Sequence, residues 1–121
     1  MDEDAVADIF AAFRPVRCRR MFGGLGIYAD GVMFALAAGE RIYLKTDPAF
    51  ALDLKELGAE PFVHEKDGRR VVFSYWSLPD SALDDAGAAA ELAARAHRLA
   101  LIVAAGNPRR MMPTRARSRR D

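Results

Sequence analysis

The chain reads as an α+β protein: a mainly antiparallel sheet of about six strands packed with three helices, in the order α-β-β-β-β-α-β-β-α. Three observations predict this. Asp30-Gly31 and Asp67-Gly68 each lie between apolar, strand-like runs, where Asp-Gly suits the positive φ angles of a tight hairpin turn. Apolar residues recur at helical spacing in three separate segments. The strand-like runs follow one another through short turns instead of alternating with helices, which favours hairpins over a doubly wound parallel sheet.

The first helix is marked by Val6, Ile9, Phe10 and Phe13, one stripe at i, i+3, i+4 and i+7. Asp2, Glu3 and Asp4 precede it, where the helix dipole favours negative charge, and Pro15 is expected to close it. A strand is expected over 16–22, with Gly23-Gly24 allowing a bend or bulge. Leu25 to Ala29 then pairs across Asp30-Gly31 with Val32 to Ala37, whose alternate residues are apolar on both faces. Gly39-Glu40 suits a II′ turn into Arg41–Lys45, where Ile42 and Leu44 point one way and Arg41, Tyr43 and Lys45 the other.

Asp47 as N-cap and Pro48 in the first turn start a second helix, with Phe50, Leu54 and Leu57 as its inner stripe and Gly58 as its stop. A second Asp-Gly hairpin runs from Pro61 to Leu78, with Tyr75 on one face and Ser74 and Trp76 on the other. The last helix starts near Ala86 or Gly87, capped by Asp84 or Asp85. Its expected apolar face is Leu92, Ala96, Leu99 and Val103, and Gly106 and Pro108 stop it.

A length of 121 residues suits one domain with a real core. We expect it over 1–107, followed by a basic tail at 108–121 that is mobile in isolation. From Arg109 to Asp121 there are six arginines and one aspartate, so an acidic body of net −4 carries a tail of net +5. The single cysteine, Cys18, excludes an internal disulfide and a Cys-x-x-Cys metal site, which fits a reducing compartment. The acidic start is unlike a secretory signal, and no apolar run nears the ~20 residues that span a bilayer, so the expected setting is the cytoplasm.

Taken together, Met21-Phe22-Gly23-Gly24, Gly26-Ile27-Tyr28 and Asp30-Gly31-Val32-Met33-Phe34-Ala35 resemble the opening of the TfoX N-terminal domain family of the TfoX and Sxy proteins. Tyr43-Leu44-Lys45, Glu60-Pro61-Phe62, Ser74-Tyr75-Trp76, Leu78-Pro79 and Leu83-Asp84-Asp85 extend the resemblance over roughly Arg17 to Leu99. Order and spacing carry it, since no single tripeptide is distinctive. The resemblance implies a regulator of natural competence acting beside the cyclic-AMP receptor protein. It also implies a secretion-chaperone-like α+β fold whose members dimerise and bind proteins. Longer members add a carboxy-terminal helical domain, and after Val103 this chain has only its arginine-rich tail. The family supplies no catalytic residues.

Several residue sets remain as candidate sites. Gly23, Gly24 and Gly26 lead into a strand instead of a helix N-terminus, so they read as a bend and not as a phosphate loop. Arg17, Arg19 and Arg20, with Arg14 nearby, are candidate contacts for anions or nucleic acid, as are the tail residues Arg109, Arg110, Arg115, Arg117, Arg119 and Arg120. Tyr28, Tyr43, Lys45 and Trp76 are candidate interface residues, while Tyr75 is expected in the core. His64 and His97 have no evident metal or triad partners, and no cofactor, metal or catalytic residue is assigned. The expected partners are a protein, either a second copy of this chain or a transcription regulator, and weak nucleic acid contact through the tail. The expected function is non-enzymatic regulation through protein contacts. The alternatives are a homodimeric adaptor unrelated to transcription and an enzyme using a pocket on the sheet.

Overall fold

The structure, a computed structural model, describes residues 1–21 and 23–106. Its elements are α1 (Glu3–Ile9), β1 (Arg17–Met21), β2 (Gly24–Ala29), β3 (Val32–Ala38), β4 (Arg41–Lys45), α2 (Pro48–Glu56), β5 (Pro61–Lys66), β6 (Arg69–Ser77), α3 (Asp80–Leu83) and α4 (Ala86–Gly106). The strands form one six-stranded sheet in the order β1-β2-β3-β4-β6-β5, with every pair antiparallel. The α+β class and the order of strands along the chain agree with the sequence reading, which gave no order of strands within the sheet. The expected tail, 108–121, lies outside the described residues, as does Phe22 at the end of the expected first strand.

Local chemistry explains most boundaries. Asp30 and Gly31 take φ values of +52° and +79°, the two positive angles of a type I′ turn, and Asp67 and Gly68 repeat the pattern at +54° and +75°. Asp47 caps α2 by accepting a hydrogen bond from the Phe50 amide at 2.8 Å, ahead of Pro48 in the first turn. Asp85, not Asp84, caps α4, accepting from the Ala88 amide at 3.0 Å.

Three expectations shift. The first helix ends before Pro15: beyond Ile9 the Ala11 and Phe13 amides bond three residues back, to Asp8 and Phe10, so the helix tightens into turns that still bring Phe13 onto the core. Leu57 leaves the inner stripe of α2 because it is the C-cap residue, and it is 55 % exposed. A short fourth helix, α3, follows Pro79 and buries Ala82.

The face that α4 buries keeps Ala96 from the expected one but is otherwise shifted. Ala89, Ala93, Ala96 and Ala100 are buried, whereas Leu92 and Leu99 flank them partly covered and Ile102 is 66 % exposed. A stripe of methyl groups lets the helix sit close on the sheet, so bulk on the leucines fills the sides of the contact.

All four helices feed one core. Val6 and Phe10 of the first segment, Phe50 and Leu54 of α2, Ala82 of α3 and the alanines of α4 meet Ile27, Ala29, Phe34, Ala35, Ala37, Ile42 and Leu44 of the sheet. The helices therefore cover one face of the sheet. Phe10 and Phe13 each meet the Phe34 ring edge-on at 5.4 Å between centroids, the arrangement aromatic quadrupoles prefer.

A bulge sets which β3 residues face that core. Ile27 pairs with Ala35 but Tyr28 pairs with Met33, leaving Phe34 extra. Phe34 and Ala35 both lie on the helix side and are fully buried, and Leu36 turns to the other side. Strict alternation, as read from the sequence, would have placed Phe34 with Leu36.

Candidate functional site

Residues directly opposite each other on antiparallel strands project from the same face. Arg17 faces Tyr28, Arg19 faces Gly26, Gly26 faces Leu36, Leu36 faces Tyr43, Tyr43 faces Ser77 and Lys45 faces Tyr75. These residues, with Met33 opposite Tyr28, define the face of the sheet turned away from the helices. Leu36 and Phe62 are buried, at 4 % and 7 % exposure, yet they are separate from the main core. They pack within this second face, where Tyr43 meets Phe62 edge-on at 5.0 Å.

Gly26 is the hollow of this face. A Cβ there would come within 2.7 Å of the Met21 methyl and 3.3 Å of the Met33 sulfur, so methionines from both neighbouring strands fold over it. Two cation–aromatic pairs flank the hollow. The Arg19 guanidinium lies 5.9 Å from the Tyr28 ring centroid, and the Lys45 ammonium lies 5.5 Å from that of Tyr75. A groove of about 260 Å³ is lined by Tyr28, Met33, Lys45 and Tyr75 together with Val103 and Ala104 at the end of α4. A second, broader cleft of about 860 Å³ runs along β1 past Arg17 and Arg19 and also ends on Tyr28. Burial, helped by the nearby Tyr28, pushes the Tyr75 hydroxyl up to about 12, so it stays a neutral donor at physiological pH.

The fold separates residues that the sequence groups. Arg17 and Arg19 share the open face, but Arg20, opposite Leu25, sits on the other side of β1, in a cleft with Asp2, Glu3 and Asp4. Arg14 is paired with Asp30. Trp76 faces the helices and packs on the core, while Tyr75 faces outward beside Lys45. The sheet thus exchanges the environments expected for these two neighbours. Arg109, Arg110, Arg115, Arg117, Arg119 and Arg120 lie outside the described residues.

Groups able to do chemistry are dispersed. Burial and, second, Glu3 raise the Cys18 thiol above its ordinary value, which works against a reactive thiolate. Hydrogen bonding to Glu60 and Tyr43 holds the Arg41 proton more tightly at the other end of β4. His97 is buried between Phe13 and Phe34 and bonds to a backbone carbonyl. Among the described residues no group of three or more His, Cys, Asp and Glu side chains is placed to hold a metal ion. No described helix is long and apolar enough to cross a membrane.

The sequence reading places Tyr75 in the core and gives Met21 and Met33 no place in a candidate site. No local signal joins Tyr75 to Lys45: only the β4–β6 pairing, which skips the intervening strand, brings them together.

Two curated relatives share part of this sequence. The chain is 33 % identical over 70 residues to the "DNA transformation protein TfoX" of Haemophilus influenzae, covering 56 % of this chain and 32 % of that protein. It is 31 % identical over 62 residues to "DNA transformation protein TfoX1" of Aliivibrio fischeri, covering 51 % of this chain and 30 % of that protein. The chain spans about a third of the length of the curated relatives it matches. The profile of the TfoX N-terminal domain matches residues 8–100, which takes in the sheet, the open face and the first two thirds of α4, and the chain belongs to the TfoX N-terminal domain family.

Proposed function

We propose that this chain is a non-enzymatic regulatory domain serving competence for DNA transformation, and that it acts through protein contacts made by its helical layer. The family match over residues 8–100 carries the reading. The names of the two relatives attach DNA transformation to proteins that contain the same segment. The scattered placement of Cys18, His97 and Arg41 supports regulation over catalysis, because a reaction needs such groups to converge.

The helical layer has the surface that such contacts need. Leu52 and Leu57 at α2, and Leu101 and Ile102 near the end of α4, are large apolar side chains left exposed. Apolar anchors of this kind supply the energy of association when a partner covers them. A transcription regulator is the partner class we favour.

The test is genetic and then physical. Deleting the gene from its native host should lower transformation frequency and the transcripts of competence genes, and restoring the wild-type gene should recover both. A combined Leu57→Glu and Ile102→Glu variant should fail to restore them while keeping its circular dichroism. Normal transformation in the deletion strain would refute the reading. Light scattering giving twice the monomer mass, lost in that variant, would instead favour the homodimeric adaptor.

A further inference from the structure

The open face of the sheet carries a chemistry different from that of the helical layer. Tyr28, Tyr43 and Tyr75 share it with Arg17, Arg19 and Lys45. None of the described strand positions that project from this face is a carboxylate; Glu60, which precedes β5, is paired with Arg41 at the far end of β4, and Asp30, in the turn that closes the cleft beside Arg17 and Arg19, is paired with Arg14. Among the described residues Arg17 and Arg19 meet no carboxylate at ion-pair distance. We propose that this face binds single-stranded nucleic acid, with bases laid on Tyr28 and Tyr75 and the phosphates held by Arg17, Arg19 and Lys45.

The arrangement suits a strand crossing the sheet. Four inter-strand steps of about 4.8 Å separate β1 from β6, roughly 19 Å in all. Along that line come Arg17 and Arg19, then Tyr28, then the Met33 side chain, then Lys45 and Tyr75. Tyr28 lines both the cleft along β1 and the groove by Lys45 and Tyr75. Aromatic rings reward bases that are free to leave their stack, which a duplex hides, and cations flanking the rings track the backbone. Gly26, two residues from Tyr28 on β2 and covered by the thioethers of Met21 and Met33, makes an adaptable apolar floor beside the Tyr28 ring.

A second copy of the chain fits this face less well. Two-fold pairing of like patches would set Arg17, Arg19 and Lys45 of one copy against the same cations of the other, and like charges at an interface cost affinity. The helical layer, where the apolar side chains are exposed, has no such obstacle. The inference is independent of the role in competence: it concerns the face of the sheet turned away from the helices, which meets the helical layer only at the end of α4, and is read by direct binding.

The test uses the full chain and fluorescence anisotropy with a labelled 15-nucleotide oligothymidylate and a 15-base-pair duplex. The single strand should bind more tightly than the duplex. Tyr28→Leu should weaken single-strand binding by about 5- to 150-fold, the range expected for one base–aromatic stack, and Tyr28→Phe should restore it. Both variants should bind the duplex as the wild type does, since contacts from the arginine tail need no ring. Replacing Arg17 and Arg19 together with Ala should reduce the salt slope for the single strand by about 1.4, two phosphate contacts' worth. Both arginines are exposed, so this variant carries the test if Tyr28→Leu fails to fold. Equal binding of single strand and duplex, or unchanged single-strand affinity in the folded variants, would overturn the proposal. So would a dimer that Tyr28→Leu dissociates, since the face would then belong to a second copy.

Discussion

The Nε2 nitrogen of His97 lies 2.9 Å from the carbonyl oxygen of Ala29, tying the middle of α4 to the end of β2 across 68 residues of sequence. A carbonyl only accepts, so Nε2 carries the hydrogen in this contact. The ring also meets Phe13 and Phe34 edge-on, at 5.7 and 5.9 Å between centroids, so one side chain joins the first segment, the bulged strand and the long helix.

Replacing His97 with Leu should therefore destabilise the fold despite the apolar surroundings. The buried Ala29 oxygen loses its donor, at a cost of about 1–3 kcal/mol. Urea denaturation monitored at Trp76 measures this, and a loss below about 0.5 kcal/mol would show that the hydrogen bond contributes little.

Gly24 and Gly87 should respond oppositely to alanine. A Cβ on Gly24 would lie 2.1 Å from the Ala37 carbonyl oxygen, a clash with backbone on the neighbouring strand that neither strand can escape without disturbing the pairing. Gly24→Ala is expected to lower the thermal midpoint sharply or abolish folding. At Gly87, in the first turn of α4, the nearest atom is the Asp85 carboxylate oxygen at 3.5 Å, an ordinary contact. Gly87→Ala should stabilise by roughly 0.5–1 kcal/mol through lower unfolded-state entropy and better helix propensity.

Asp47→Ala removes the side chain that accepts from the Phe50 amide at the start of α2. The expected loss is about 1 kcal/mol, within the usual range for an N-cap. Asp47→Asn, which keeps an acceptor oxygen, should recover most of it in the same chemical denaturation experiment.

Tyr75 makes stability fall at high pH. Its hydroxyl titrates near 12 in the folded chain against about 10 when unfolded. Between those values the unfolded state has released a proton that the folded state retains, so unfolding becomes easier as pH rises. The contribution is present below pH ~10 and is lost towards pH 12, amounting to about 3 kcal/mol. Stability measured from pH 9 to 12 should decline less steeply in Tyr75→Phe. Identical slopes would mean that the hydroxyl titrates normally.

The amino-acid sequence alone determined the features that depend on a few adjacent residues. Asp30-Gly31 and Asp67-Gly68 turn wherever they occur between strands, because their backbone conformations are intrinsic, and Asp47-Pro48 starts a helix with its own side chain and ring. The acidic body and basic tail are likewise fixed by composition. Only the tertiary structure decided which side each strand residue faces, since one bulge at Ile27–Tyr28 reverses the alternation and sends Phe34 inward. It also decided that α4 meets the sheet through alanines, that Arg20 parts from Arg17 and Arg19, and that Tyr75 joins Lys45 while Trp76 enters the core. Those outcomes depend on pairings between distant strands and on close approach between layers, and local propensity contains neither.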